Sequence, residues 1–240
     1  MMADRPIVAA LSAISLAIGL VAAGCSSPAT SAPTAPSSPA PPPAASSAGG
    51  PSTGASTCPK AAPPHAAAGS TAIATITTPK GTIVIKLEAD LGPAAVGNFI
   101  ALAGCGFYDG VVFHRLVPGF VIQGGDGQFG RSPNVDRARV GQGGPGYTID
   151  DDPVTAQYGR GTVAMARTSE AHSGGSQFFI VLDDGARPAL AQYNTYAIMG
   201  KVTSGMEVVD AIAAMPNAGE AAGNAALDPI AMTKVAVTTP

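Results

Sequence analysis

The stretch FHRLVPGFVIQGGD, residues 113–126, places Arg115 two residues after Phe113 and five before Phe120, with a polar Gln123 beyond. Only 12% of the 240-residue chain is charged, so an arginine among these apolar neighbours calls for a reason. Such a guanidinium reaches water, pairs with a carboxylate, or is reserved for a ligand. Two further stretches combine apolar and polar residues in the same way: GTVAMAR, residues 161–167, and GSQFFI, residues 175–180.

Other chemistries are poorly supplied. A Ser-His-Asp arrangement would need His65, His114 or His172, but His65 lies beside a low-complexity tract and His172 in a Gly/Ser loop. No G-x-S-x-G elbow occurs. Three scattered histidines and no C-x-x-C motif argue against a structural metal, and no cofactor is implied. The acidic run Asp150-Asp151-Asp152 reads as a solvated loop. The glycine clusters at 124–127 and 141–144 lack the Lys-Ser/Thr of a phosphate loop and read as turns. Asn98 and Asp126 read as turn or cap residues, and His114 as structural. A net charge of −3 with pI near 5.5 gives no footprint for nucleic acid.

The elements that must position these residues begin well into the chain. Residues 7–24 form an uncharged run after a single arginine and end at Gly24-Cys25, which reads as an export signal or an uncleaved anchor. Residues 25–68 are a spacer rich in Pro, Ala and Ser, whose prolines favour extended stretches. Residues 70–240 have the length of one domain. Within them, alternating runs on either side of Pro79-Lys80-Gly81 predict a hairpin. Val96, Phe99, Ile100 and Ala103 at i, i+3, i+4, i+7 predict a helix after Pro93. Five strand-like runs follow, then a helix over residues 206–215 burying Val209 and Ile212. A last strand at 230–238 shifts its alternation near Lys234, as at a bulge. Many short strands with two helices predict a mainly β protein, a closed antiparallel barrel. Cys58 and Cys105 are compatible with either a disulfide or two separate thiols.

At this point the chain resembles the cyclophilin family of peptidyl-prolyl cis-trans isomerases, over about residues 72–238. The resemblance rests on FHRLVPGFVIQGGD, on GTVAMAR with GSQFFI, and on Asn98-Phe99, Phe107-Tyr108-Asp109-Gly110 and Gly200-Lys201-Val202. It implies an eight-stranded antiparallel barrel capped by two α-helices and isomerisation of X-Pro bonds. The alternative is a module that binds proline-containing segments with little turnover. Residue by residue, it implies a catalytic Arg115 and a Gln123 that holds a substrate carbonyl. Phe120, Val121, Phe179 and Leu190 would line a proline pocket, with Ala166 and Arg167 along a backbone groove, Gln177 in support, and Tyr196 where relatives often carry His. Residues 186–193 align poorly, and the chain has no Trp. The Ala-Ala-Gly-Cys ending resembles a bacterial lipobox, which implies lipidation at Cys25 and a membrane anchor outside the cytoplasm. Partners would be proline-containing segments of exported proteins, and the domain is expected to be a monomer.

These residue types suit that chemistry. Rotation about X-Pro faces a barrier of about 18–20 kcal/mol because the C–N bond is partly double. In the twisted state resonance is lost and the prolyl nitrogen gains a free lone pair. A donor aimed at that lone pair stabilises the twisted state above either planar one.

Overall fold

The computed structural model describes residues 57–239. The expected export signal, Cys25 and most of the spacer lie outside the described residues, among which no helix is long and apolar enough to cross a membrane.

Strands β1 (Thr71–Thr78) and β2 (Gly81–Glu88) form the expected hairpin, with Thr78 opposite Gly81 across a Pro79-Lys80 turn. Helix α1 (Pro93–Gly104) follows, then β3 (Val112–Val117), β4 (Val121–Gly124), β5 (Thr162–Met165) and β6 (Phe178–Val181). The chain continues through α2 (Arg187–Tyr193), β7 (Ile198–Ser204), α3 (Met206–Ala213), β8 (Ala225–Ala231) and β9 (Lys234–Thr238). All nine strands join one antiparallel sheet in the order β8-β3-β4-β6-β5-β7-β2-β1-β9.

The sheet is open, which corrects the closed eight-stranded barrel expected from the sequence. No pairing joins β8 to β9 among the described residues. It is nonetheless strongly curved. Flat, nine strands about 4.8 Å apart would separate the edges by ~38 Å, yet only Met232 and Thr233 connect β8 to β9. The Met232 N–H donates to Val111 O at 2.8 Å and the Thr233 N–H to Thr77 O at 2.8 Å, so this link is tied to the head of β3 and to β1, the strands next to the two edges. The phase change anticipated near Lys234 is therefore this passage between edges, not a bulge within one strand. The helix count also needs correction: α2 is a third, short α-helix in the segment that aligned poorly.

Strand alternation gives the sheet two buried faces. Phe178, Ile180, Ile122, Val163 and Met165 face the main core. That core is filled from α1 by Val96, Phe99 and Leu102 and from α3 by Val209 and Ile212. Phe179, Val181, Val121 and Ala164 face a smaller cluster closed by Ala186 and Leu190 of the α2 region. Phe-Phe-Ile-Val in β6 is apolar throughout because both of its faces are covered.

Helix α1 begins at Pro93, whose missing N–H costs nothing at a helix start. Gly92 offers no side-chain cap; instead Asp152 accepts from the Ala94 and Ala95 N–H groups at 3.0 and 2.9 Å. Asp152 is buried, and Asp151 pairs with Arg167 at 2.8 Å, so only Asp150 remains as the solvated acid expected of this run. Residues 58–66 lie against the other side of α1. Cys58 is disulfide-bonded to Cys105, and the Ala66 N–H donates to Pro93 O at 2.9 Å. Gly97 permits this approach, because a Cβ there would meet Ala66 N at 2.8 Å.

Candidate active site

One irregularity in β3 decides where Arg115 points. Strict alternation would put Phe113 and Arg115 on the same face. The β3–β4 register instead runs Phe113 opposite Gly124 and then Arg115 opposite Gln123, with a shift between them. This bulge at His114 turns Phe113 and Leu116 into the main core and Arg115 out of it. Across the sheet, Arg115 then faces Gln123, Gln123 faces Phe179, and Phe179 faces Ala164. Residues from four strands thus stand in one transverse row on the outer face.

Arg115, Gln123 and Phe179 of this row form the floor of a cleft of about 240 Å³. Phe120 and Val121 enter it from the β3–β4 turn, Leu190 and Tyr193 from α2, and Tyr196 from the approach to β7. The Tyr196 ring meets Phe179 edge-on, with centroids 5.3 Å apart at 86°. Its backbone is fixed by the buried Tyr158 hydroxyl, which donates to Tyr196 O at 2.9 Å. Burial pushes the Tyr158 phenol up to about 12, so it remains a donor.

Arg115 is gripped at two points. Its Nε donates to Gly223 O at 3.1 Å and its Nη1 to Gln123 Oε1 at 3.4 Å. Those bonds use two of five N–H donors. Among the described residues no ion pair involves Arg115. Burial lowers its pKa from the usual arginine value, partly offset by the nearby Tyr196 phenol, but arginine remains charged at any working pH. The question raised by the sequence is answered structurally: the guanidinium lines the cleft and has no carboxylate partner among the described residues.

Gln123 belongs to a relay. Its Nε2 donates to Gln177 Oε1 at 2.9 Å, and Gln177 Nε2 donates to Gly141 O and Gly143 O at 2.9 and 2.8 Å. Carbonyls only accept and arginine only donates, so both ends fix which way each amide points. Gln177 therefore lies one step from Arg115, as a support for Gln123.

Ala166 and Arg167 divide this cleft from a second one of about 360 Å³, bounded by residues 143–148 and Gln177. Ala166 is tied down by its N–H, which donates to Gln177 O at 2.8 Å. Arg167 lines both clefts, yet its guanidinium is committed to its own surroundings. Nη1 pairs with Asp151 at 2.8 Å, Nε donates to Thr168 O, and Nη2 to the carbonyls of Ser169 and Glu170. It shapes the wall more than it offers free donors.

Several contributors escaped the sequence reading. Gly223 holds Arg115 through a backbone carbonyl, and only the turn-rich GEAAGN at 219–224 marks that loop. There Gly219, Gly223 and Asn224 all take positive φ. Asn98 is neither turn nor cap: it is buried mid-helix, donates to Gly175 O at 2.5 Å and accepts from the Tyr147 hydroxyl at 2.8 Å. It thereby pins two walls of the second cleft. His114 is buried at the bulge with neither ring nitrogen partnered, and burial pushes its pKa down to about 4.

Comparison with known proteins agrees with this fold. Residues 73–237 match the family described as cyclophilin type peptidyl-prolyl cis-trans isomerase/CLD, and the chain belongs to that family. It is accordingly a peptidyl-prolyl cis-trans isomerase. It is 40% identical over 155 residues to the "probable peptidyl-prolyl cis-trans isomerase" of Brucella abortus, covering 60% of this chain and 77% of that one. It is also 40% identical over 138 residues to peptidyl-prolyl cis-trans isomerase A of Dickeya dadantii, covering 57% of this chain and 68% of the relative. A Cryptosporidium parvum cyclophilin type isomerase, solved in the presence of the dipeptide Ala-Pro, aligns with TM-score 0.57 at 28% identity. That alignment covers 70% of this chain and 99% of the other.

Proposed function

We propose that Arg115 is the catalytic group and that the cleft built on Val121, Phe120, Phe179 and Leu190 grips the proline ring of an X-Pro segment. The observation that carries this reading is a guanidinium that forms no ion pair among the described residues, held opposite Gln123 at the floor of an apolar cleft. A proline ring fills such a cleft without needing polar partners. The uncommitted donors of Arg115 then meet the prolyl nitrogen only when rotation frees its lone pair, which is differential binding of the twisted state. Gln123 has its oxygen on Arg115 and its amide on Gln177, so in the free enzyme it orients the arginine. The second N–H of the Gln123 amide has no acceptor among the described residues and would donate to a substrate carbonyl. The Ala-Pro dipeptide present with the Cryptosporidium relative suits the same substrate class. Isomerisation of a proline peptide by the full chain, beside Arg115→Ala, tests the assignment. Equal rates would sink it.

The physiological setting is part of the same proposal. The uncharged run ending at Cys25 and the long Pro-rich spacer support a lipid-anchored enzyme outside the cytoplasmic membrane, acting as a monomer on exported proteins. Uncatalysed prolyl isomerisation takes tens of seconds or longer, so newly exported chains would gain from it. A Cys25→Ser protein that still fractionated with membranes would count against the anchor.

A further inference from the structure

Asp126 closes the FHRLVPGFVIQGGD stretch and lies one layer behind the site. It is fully buried, and none of the ion pairs among the described residues includes it. Four backbone N–H groups hold its carboxylate: Gln128 and Phe129 on Oδ1 at 3.0 and 2.9 Å, Gly141 and Gly143 on Oδ2 at 2.8 and 3.0 Å. A carboxylate is costly to bury, and four donors fill its accepting capacity.

Two of those donors matter for catalysis. Gly141 and Gly143 give their N–H groups to Asp126 and their carbonyls to the Gln177 amide. No helix or strand element runs through residues 131–148, and the Asp126 carboxylate is what the Gly141 and Gly143 N–H groups are bonded to. Their sequence suits the clamp: Gly141 sits at φ +94°, and a Cβ on Gly143 would run into Asp126 Oδ1.

We propose that Asp126 is a positioning residue of the isomerase, acting on Arg115 through the Gly141–Gly143 peptides, Gln177 and Gln123. The proposal rests on Arg115 being the catalytic group. Asp126 pulls the two N–H groups inward and so presents the two carbonyls to Gln177. Those carbonyls force the Gln177 oxygen toward Gln123, whose own oxygen must then face Arg115. An asparagine at 126 has one accepting oxygen and adds two donors, so at least two of the four N–H groups lose their acceptor.

The test is a double-mutant cycle in the full chain, reading kcat and KM for a proline peptide together with thermal unfolding. Asp126→Asn lowers kcat about tenfold, as small misplacements of a reacting group do, while KM changes less than about twofold. In a Gln177→Ala background the same substitution lowers kcat by less than about twofold, because the relay is already cut. Full additivity of the two losses would overturn the proposal, as would an unchanged kcat in Asp126→Asn. If Asp126→Asn does not fold, Gly143→Ala displaces the same peptide with the carboxylate kept, and the same pattern is expected. An unchanged kcat in Gly143→Ala would then overturn the proposal. Arg115→Ala separates the two levels of the argument. If it retains full activity, the catalytic assignment fails; if it is inactive while the cycle is additive, only the role of Asp126 fails.

Discussion

Arg115 and Gln123 stand directly opposite each other in the β3–β4 ladder, and Arg115 Nη1 donates to Gln123 Oε1 at 3.4 Å. This pairing exists because the bulge at His114 gives β3 one extra residue before it meets β4. Replacing Gln123 by Leu keeps the side-chain bulk and removes both its bonds. The expected result is a fall in kcat/KM of about tenfold, with thermal stability little changed, since the side chain is only half-buried. Steady-state assays on a proline peptide check this.

The pocket wall makes a different prediction. Phe179 is 4% exposed and packs with Val121, Leu190 and the Tyr196 ring. Phe179→Ala opens the cleft and removes the surface a proline ring would cover. KM is expected to rise by about tenfold or more, and unfolding free energy to fall by about 3 kcal/mol. Kinetics and urea unfolding of the same variant measure the two effects.

His114 predicts a pH dependence of stability. An unfolded histidine takes up a proton below about 6.5, whereas the buried native ring refuses it until about 4. Its contribution is therefore complete above pH 6.5, is lost as pH falls from 6.5 towards 4, and changes no further below that. The loss amounts to about 3 kcal/mol. His114→Leu should flatten this part of the stability curve relative to the wild type. Parallel curves for the two proteins would show that the ring does not titrate in this way.

The Cys58–Cys105 disulfide closes a loop of 47 residues that contains the hairpin and α1. Loop closure of that length stabilises by about 4 kcal/mol in the chain-entropy account. The Cys58→Ser, Cys105→Ser double variant should unfold at lower denaturant with kcat/KM unchanged, because neither residue lines the cleft. Loss of activity in a fully folded variant would tie the disulfide to the site.

The site was legible in the sequence wherever its residues fall in one short stretch. Arg115, Phe120, Val121 and Gln123 lie within nine positions and meet across one tight turn, and Gln177 and Phe179 flank the start of β6. What acts through the backbone was not. The Gly223 carbonyl lies 108 residues from Arg115 and carries no side-chain signal. The bulge at His114 is a single added residue, visible only once a partner strand is present. The fold was misjudged at its edges for a related reason. The single last strand expected at 230–238 is two strands, Ala225–Ala231 and Lys234–Thr238, on opposite edges, and alternation cannot tell a closed barrel from a curled open sheet. Helix α2 is seven residues, too short for periodicity to show.

The central claim is that Arg115, on the cleft floor, lowers the barrier to X-Pro rotation. The most direct measurement is kcat/KM for cis-to-trans isomerisation of a proline peptide by the full chain and by Arg115→Ala, with peptide affinity measured in parallel. The account predicts a fall of about 10²–10³ in kcat/KM, the size expected on removing one principal electrostatic donor, with affinity changed by less than about tenfold. Equal rates for the two proteins would contradict it.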